Sequence, residues 1–218
     1  MVHETEQETL EALKRWWQQN GSALVAGLVI GLAGVLGWQY WQSHQRAQAE
    51  VASAIYETMQ TQLAGGNPAE IQSLYTQLKN EYPKTAYAGL GGLVLASRAV
   101  TDGELELAQG ALQWVVDNAS LPELAAVARL RLARVLHARG KAEEALTQLD
   151  ALEGAFRPEA EEIRGDVLGQ RGDLEAAREA YRASLAAYAL EGRPNRWVEL
   201  KLDDLAPPQD AASGEAKP

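Results

Sequence analysis

Charged residues vanish between Trp16 and Gln45, with His44 counted as neutral. Inside this window residues 23–37 are all apolar or glycine, and Trp38 to Trp41 extend the run to 19 residues. A helix rises about 1.5 Å per residue and the hydrocarbon core of a bilayer is about 30 Å thick, so about 20 such residues cross it. The pattern therefore predicts a membrane-spanning helix over 23–41, behind a polar tail over 1–22. Trp16 and Trp17 precede the run, and Trp38, Tyr40 and Trp41 close it. Amphipathic rings settle at the two interfaces of a bilayer, and Trp17 to Trp38 measures about 31 Å of helix.

Two other readings compete with an anchor. A cleaved signal peptide would use Lys14-Arg15 as its basic start and Ala47-Gln48-Ala49 as its cleavage site. Against this stand the length of the apolar run, the bulky Trp38–Trp41 stretch where small residues are expected, and Arg46 just before the site. A buried core helix is disfavoured because a small soluble domain has little use for so long an uncharged window. Lys14 and Arg15 lie before the run and only Arg46 lies close behind it, so the positive-inside rule expects a cytoplasmic N-terminus and an exported C-terminal part. Along the run, Ala23, Gly27, Gly31 and Gly34 place small residues about one turn apart, which lets a second helix approach closely.

After Arg46 the period changes. Residues 46–205 carry apolar and Ala positions at three- and four-residue spacing, broken by the turns Gly65-Gly66-Asn67-Pro68, Asp102-Gly103-Glu104, Arg139-Gly140-Lys141 and Arg171-Gly172-Asp173. The glycines Gly66, Gly103, Gly140 and Gly172 are 37, 37 and 32 residues apart. That period signals stacked helical hairpins of the tetratricopeptide type, whose repeat is about 34 residues. Small residues recur in register: Ala108, Ala145 and Ala177 five places after the last three glycines, and Ala96, Ala133 and Gly165 seven places before them. Leu112, Leu149 and Tyr181 follow nine places after and supply larger packing knobs. The first unit departs, with Ile71 in place of the alanine, and reads as a degenerate cap whose second helix opens at Pro68.

The fold class expected is thus all-α: one N-terminal transmembrane helix, then a tetratricopeptide-like α-solenoid over 42–205. Arg193-Pro194-Asn195 breaks the last hairpin, and Trp197–Leu205 is expected to cap the open end, anchored by Trp197. Residues 206–218, rich in Pro, Ala, Asp, Ser and Gly, read as a disordered tail. A solenoid offers a concave face lined by the first helix of each pair. Counting from the turn glycines places Ser53, Tyr56, Gln60, Leu90, Leu93, Ser97, Val127, Leu130, Arg134, Glu159, Glu162 and Asp166 there, apolar in the middle and acidic in the last unit.

Composition then narrows the chemistry. Twenty Lys+Arg against 30 Asp+Glu give a net charge of -10, which argues against a nucleic-acid binder. With no cysteine, disulfides, thiolate metal sites and thiol catalysis are excluded. His3, His44 and His137 have no metal-ligand spacing, no GxxxxGK[ST] or GxSxG occurs, and Glu159, Glu161, Glu162 and Asp166 read as a solvated helix face. No enzyme activity and no cofactor are expected, and binding remains.

Three stretches resemble a known family: Glu11-Ala12-Leu13-Lys14-Arg15, Asn20-Gly21-Ser22-Ala23-Leu24, and above all Gly37-Trp38-Gln39-Tyr40-Trp41-Gln42-Ser43-His44-Gln45. They look like the YfgM family, ancillary subunits of the bacterial SecYEG translocon, and Leu130–Val135 and Arg164–Asp166 are also similar. The likeness runs to about Leu205. It implies an inner-membrane protein with a cytoplasmic N-terminus and a periplasmic tetratricopeptide-like domain. It also implies association with SecYEG and the periplasmic chaperone PpiD, and assistance to client proteins emerging from the translocon. Two further readings stay open. One is a regulator acting through the acidic run Glu4, Glu6, Glu8 and Glu11; the other is a homo-oligomer paired through the GxxxG helix or open solenoid ends.

Overall fold

The computed structural model describes residues 2–63 and 65–205 of the 218, with side chains from Leu10 onward except at Ala12. The expected tail over 206–218, and the side chains of Glu4, Glu6 and Glu8, lie outside the described residues. The chain divides into two compact units, residues 1–50 and 51–218. No strand occurs among the described residues.

From Val2 on, the first unit is helical and belongs to α1, Val2–Gln62. Among the described residues this is the one helix long and apolar enough to cross a membrane, and its most apolar window is only 6% buried. Large aliphatic side chains stand uncovered along it, Leu28 and Ile30 among them at 73% and 72% exposed. A helix apolar all round and unburied suits lipid rather than water.

The second unit starts with the last turns of α1 and continues through α2 (Pro68–Glu81), α3 (Ala86–Thr101), α4 (Leu105–Asn118), α5 (Pro122–Ala138), α6 (Ala142–Asp150), α7 (Arg157–Arg171), α8 (Leu174–Leu190) and α9 (Arg196–Asp204). A 3₁₀ turn, Gly154–Phe156, leads into α7. Local chemistry sets these bounds. Asn67 accepts a hydrogen bond from the Ala69 N–H while Pro68 opens α2, a position where a missing donor costs nothing. Pro122 opens α5 in the same way.

The hairpin turns repeat one backbone motif. Gly103, Gly140 and Gly172 take φ of 79°, 75° and 93°, a left-handed conformation that glycine adopts without steric cost. In each, the residue after the glycine donates to the carbonyl five places back: Glu104 to Ala99, Lys141 to Leu136, Asp173 to Leu168, at 2.8, 2.9 and 3.0 Å. Gly192 closes α8 likewise, with Arg193 donating to Tyr188. The first turn differs from the count by one place, because the glycine at positive φ is Gly65 rather than Gly66.

Packing follows the register of these turns. Ala108, Ala145 and Ala177 are fully buried, and Leu112, Leu149 and Tyr181 are at most 5% exposed. Ala96 and Ala133 are buried opposite, while the last hairpin pairs a bigger knob with a smaller neighbour. A Cβ on Gly165 would sit 2.4 Å from the Tyr181 ring, so that ring fits only against glycine. The core is continuous from Ala52 to Val167, and Tyr181, Tyr188 and Val198 form a separate cluster at the C-terminal end.

The cap over that end corrects an expectation. Trp197 is 75% exposed, and the anchor is Val198, which is fully buried. Asn195 caps the helix start, accepting from the N–H groups of both Trp197 and Val198. The face that packs against Tyr181 and Tyr188 of α8 is the one carrying Val198, Leu202 and Leu205, which leaves Trp197 outward. The carboxylates of α7 are corrected too. Glu159, Glu161, Glu162 and Asp166 are half-buried rather than solvated: α9 and the loop before it lie against Glu159, Glu162 and Asp166, and Glu161 pairs with Arg164 of its own helix.

Candidate protein-binding groove

Helices α3 and α5 are the first helices of neighbouring hairpins, and a cavity of about 350 Å³ opens between their C-terminal halves. Ala96, Ser97, Val100 and Thr101 from α3 form one wall, Arg131, Arg134, Val135 and Ala138 from α5 the other, and Leu105 and Leu112 of α4 the floor. The lining is aliphatic at its base and carries two hydroxyls and two guanidiniums at its rim. Val100 is 46% exposed. Thr101 spends its hydroxyl on the Ser97 carbonyl at 3.1 Å, as β-hydroxyls in helices often do.

Two of the residues counted onto the concave face, Ser97 and Arg134, meet in this cavity. Leu93 and Leu130 instead point into the core, each 7% exposed. Leu90 and Val127 are half-buried. Tyr56 is half-buried against Tyr87, with ring centroids 5.8 Å apart, and accepts a hydrogen bond from Gln60. Ser53 donates to Glu57 along its own helix. Arg131, Val100, Thr101, Leu105 and Ala138 were not in the sequence count. Arg131 and Val100 carry a usable signal, being three residues from Arg134 and Ser97 on the same helix faces.

The acidic last unit is spoken for. Lys201 of α9 donates to Glu162 at 2.8 Å and to Asp166 at 2.9 Å, and the Tyr181 hydroxyl donates to the other oxygen of Asp166 at 2.8 Å. Glu159 pairs with Arg193 at 3.1 Å, and Glu161 with Arg164 at 3.2 Å. Burial pulls the Lys201 ammonium down, but its hydrogen bonds to Asp166 and Glu162 outweigh that and hold it above its ordinary value. Burial, reinforced by the bond to Asp166, pushes the Tyr181 phenol up. Among the described residues no three His, Asp or Glu side chains are grouped to hold a metal ion.

On α1 the small residues Ala23, Gly27, Gly31 and Gly34 are exposed, and a Cβ added at any of the three glycines would meet nothing within 4 Å. Trp16, Trp17, Trp38, Tyr40 and Trp41 are all at least half exposed, with the Trp38 and Trp41 rings 5.3 Å apart. The Trp17 ring lies over Gly21, where a Cβ would come within 3.2 Å.

An apolar N-terminal helix followed by stacked hairpins defines a helical-repeat protein, and the comparisons agree on the repeats. A tetratricopeptide repeat-like domain family matches residues 14–207. The Escherichia coli (strain K12) protein named "Ancillary SecYEG translocon subunit" is 35% identical over 206 residues, covering 94% of this chain and 98% of that protein. The protein of the same name from Aggregatibacter actinomycetemcomitans is 33% identical, over 92% and 97%. In fold, the repeats resemble the crystal structure of a Podosopora anserina kinesin light chain-like protein of nearly identical TPR-like repeats. That likeness has a TM-score of 0.52 at 20% identity, over 75% of this chain and 85% of that one. The chain belongs to the YfgM family of ancillary SecYEG translocon subunits, with a tetratricopeptide-like repeat domain.

Proposed function

We propose that the protein is a single-pass subunit of the bacterial inner membrane that associates with the SecYEG translocon. Its N-terminus is cytoplasmic and its repeat domain periplasmic, where it acts as a chaperone-like adaptor for proteins emerging from the channel. The observation that carries this reading is likeness along nearly the full length of relatives that bear the translocon-subunit name. The architecture supports it in two ways. An exposed run of Ala23, Gly27, Gly31 and Gly34 offers another membrane helix a close approach. Tethering the repeats beside a channel also raises their effective concentration, so weak contacts with passing chains suffice. Within this reading the chaperone PpiD is a neighbouring subunit, and Trp16, Trp17, Trp38, Tyr40 and Trp41 mark the two membrane interfaces.

A photocrosslinking amino acid at Val100, combined with reporters fused to both ends, tests the proposal in intact cells. Capture of translocon subunits or translocating chains, with only the C-terminal reporter active outside the cytoplasm, is the expected result. Absence of both from the captured set, or the reverse topology, removes it.

A further inference from the structure

The cavity between α3 and α5 has a charge of its own. Among the described residues no carboxylate lines it, although the chain carries 30 acidic residues against 20 basic ones. Asp102, next to the α3 wall, is held by Arg98 at 2.7 Å. Arg131 and Arg134 are exposed and take part in no ion pair among the described residues. Three residues apart on α5, their head groups flank one opening. The rest of the lining is mostly apolar, with Ala96, Val100, Leu112 and Val135.

We propose that this groove takes an extended peptide segment of a partner protein in which carboxylates are interspersed with aliphatic side chains. The proposal rests on the adaptor reading above and names the chemistry of the chains it would favour. The cavity stands at the lower end of the range of ligand pockets, roughly 300–1,000 Å³, room for a few side chains rather than a folded surface. Aliphatic groups fill the base. The planar fork of each guanidinium matches a carboxylate, while its stem covers apolar surface. A net charge of -10 repels acidic partners at long range, so the two arginines act locally and set register and selectivity. The chain's own residues 206–218 fit the groove poorly: they hold Asp210 and Glu215 but no Val, Leu, Ile or Phe.

The test uses the full chain in detergent micelles and three fluorescein-labelled peptides of equal length, alternating Leu with Asp, Ser or Lys. The Leu–Asp peptide is expected to bind about tenfold more tightly than Leu–Ser, with Leu–Lys weakest, and the gap narrows at high salt. The double variant Arg131→Glu with Arg134→Glu, checked for unchanged helicity, inverts the order, whereas Arg131→Lys with Arg134→Lys keeps it. Val100→Trp, at an exposed position, weakens all three peptides. Equal binding of Leu–Asp and Leu–Ser, or an order unchanged by the Glu variants, overturns the charge selectivity while the adaptor reading stands on its own crosslinking test. Binding about tenfold tighter after removal of 206–218 would give the groove to the chain's own tail. A dimer dissolved by the Glu variants would give it to a second copy. Either result overturns the proposal.

Discussion

The Arg139 guanidinium, one place before the turn glycine Gly140, donates to Glu106, three places after the preceding turn glycine Gly103, at 2.6 Å. Arg171 and Glu143 repeat the contact one hairpin further on, in the same register. Each pair ties the turn of one hairpin to the second helix of the hairpin before it, so a recurrence in sequence becomes a recurrence in space. Both glutamates are largely solvent-exposed, at 77% and 83%. Such pairs contribute little individually. Arg139→Ala is therefore expected to lower stability by less than about 1 kcal/mol, with the difference shrinking at high salt. Thermal melts of the full chain at two ionic strengths measure this.

The same substitution has opposite signs at two glycines. Gly165→Ala would push a methyl to 2.4 Å from the Tyr181 ring, and overpacking of this kind costs about 1–3 kcal/mol. Gly110 is exposed within α4, and its added Cβ would touch nothing, so Gly110→Ala should stabilise by about 0.5–1 kcal/mol through helix propensity. Denaturant midpoints of the two variants are the comparison. Equal midpoints would contradict the close approach of α7 and α8.

At the cap, Val198→Ala empties a fully buried position and should cost about 1–3 kcal/mol. Trp197→Ala removes the larger side chain but from a 75% exposed site, so stability should change by less than about 0.5 kcal/mol. A larger loss at Trp197 than at Val198 in melting experiments would mean that α9 sits in a different register.

Alkaline titration should loosen the repeat domain. Burial pushes the phenols of Tyr75, Tyr181 and Tyr188 above the ordinary 10.0, and Lys201 lies above 10.5 because Asp166 and Glu162 outweigh its desolvation. A pKa raised on folding contributes stability that is complete below the unfolded value and is lost as pH climbs past it. These groups should leave stability flat up to about pH 10 and lower it beyond, as urea midpoints across that range will show. Two variants separate the causes. The Tyr75 hydroxyl is buried with no hydrogen-bond partner among the described residues, so Tyr75→Phe should be neutral or stabilising at pH 7. Tyr181→Phe forfeits the bond to Asp166 and should cost about 0.5–1.5 kcal/mol there. Both should blunt the alkaline fall.

Much of this architecture is written locally. The uncharged window of α1 is a matter of composition, because a bilayer demands length and apolarity rather than particular neighbours. The turn at Gly140 is legible because a left-handed residue between two amphipathic stretches has few other uses, and Ala145 and Ala133 follow from the spacing that close-packed hairpins impose. What neighbours decide could not be read this way. Trp197 looked like the natural anchor of α9, yet the face that packs against Tyr181 and Tyr188 of α8 is the one carrying Val198, Leu202 and Leu205. Glu162 and Asp166 looked solvated until Lys201, 39 and 35 residues further on, came to lie across them. The groove is of the same kind. Ser97 and Arg134 were placed by periodicity, and Arg131 shares the face of Arg134, but Leu105 of α4 joined them only where α3, α4 and α5 converge. Sequence spacing specifies which face of a helix a side chain occupies; which other element covers that face, and what charge remains uncovered, is settled by packing between residues distant in the chain.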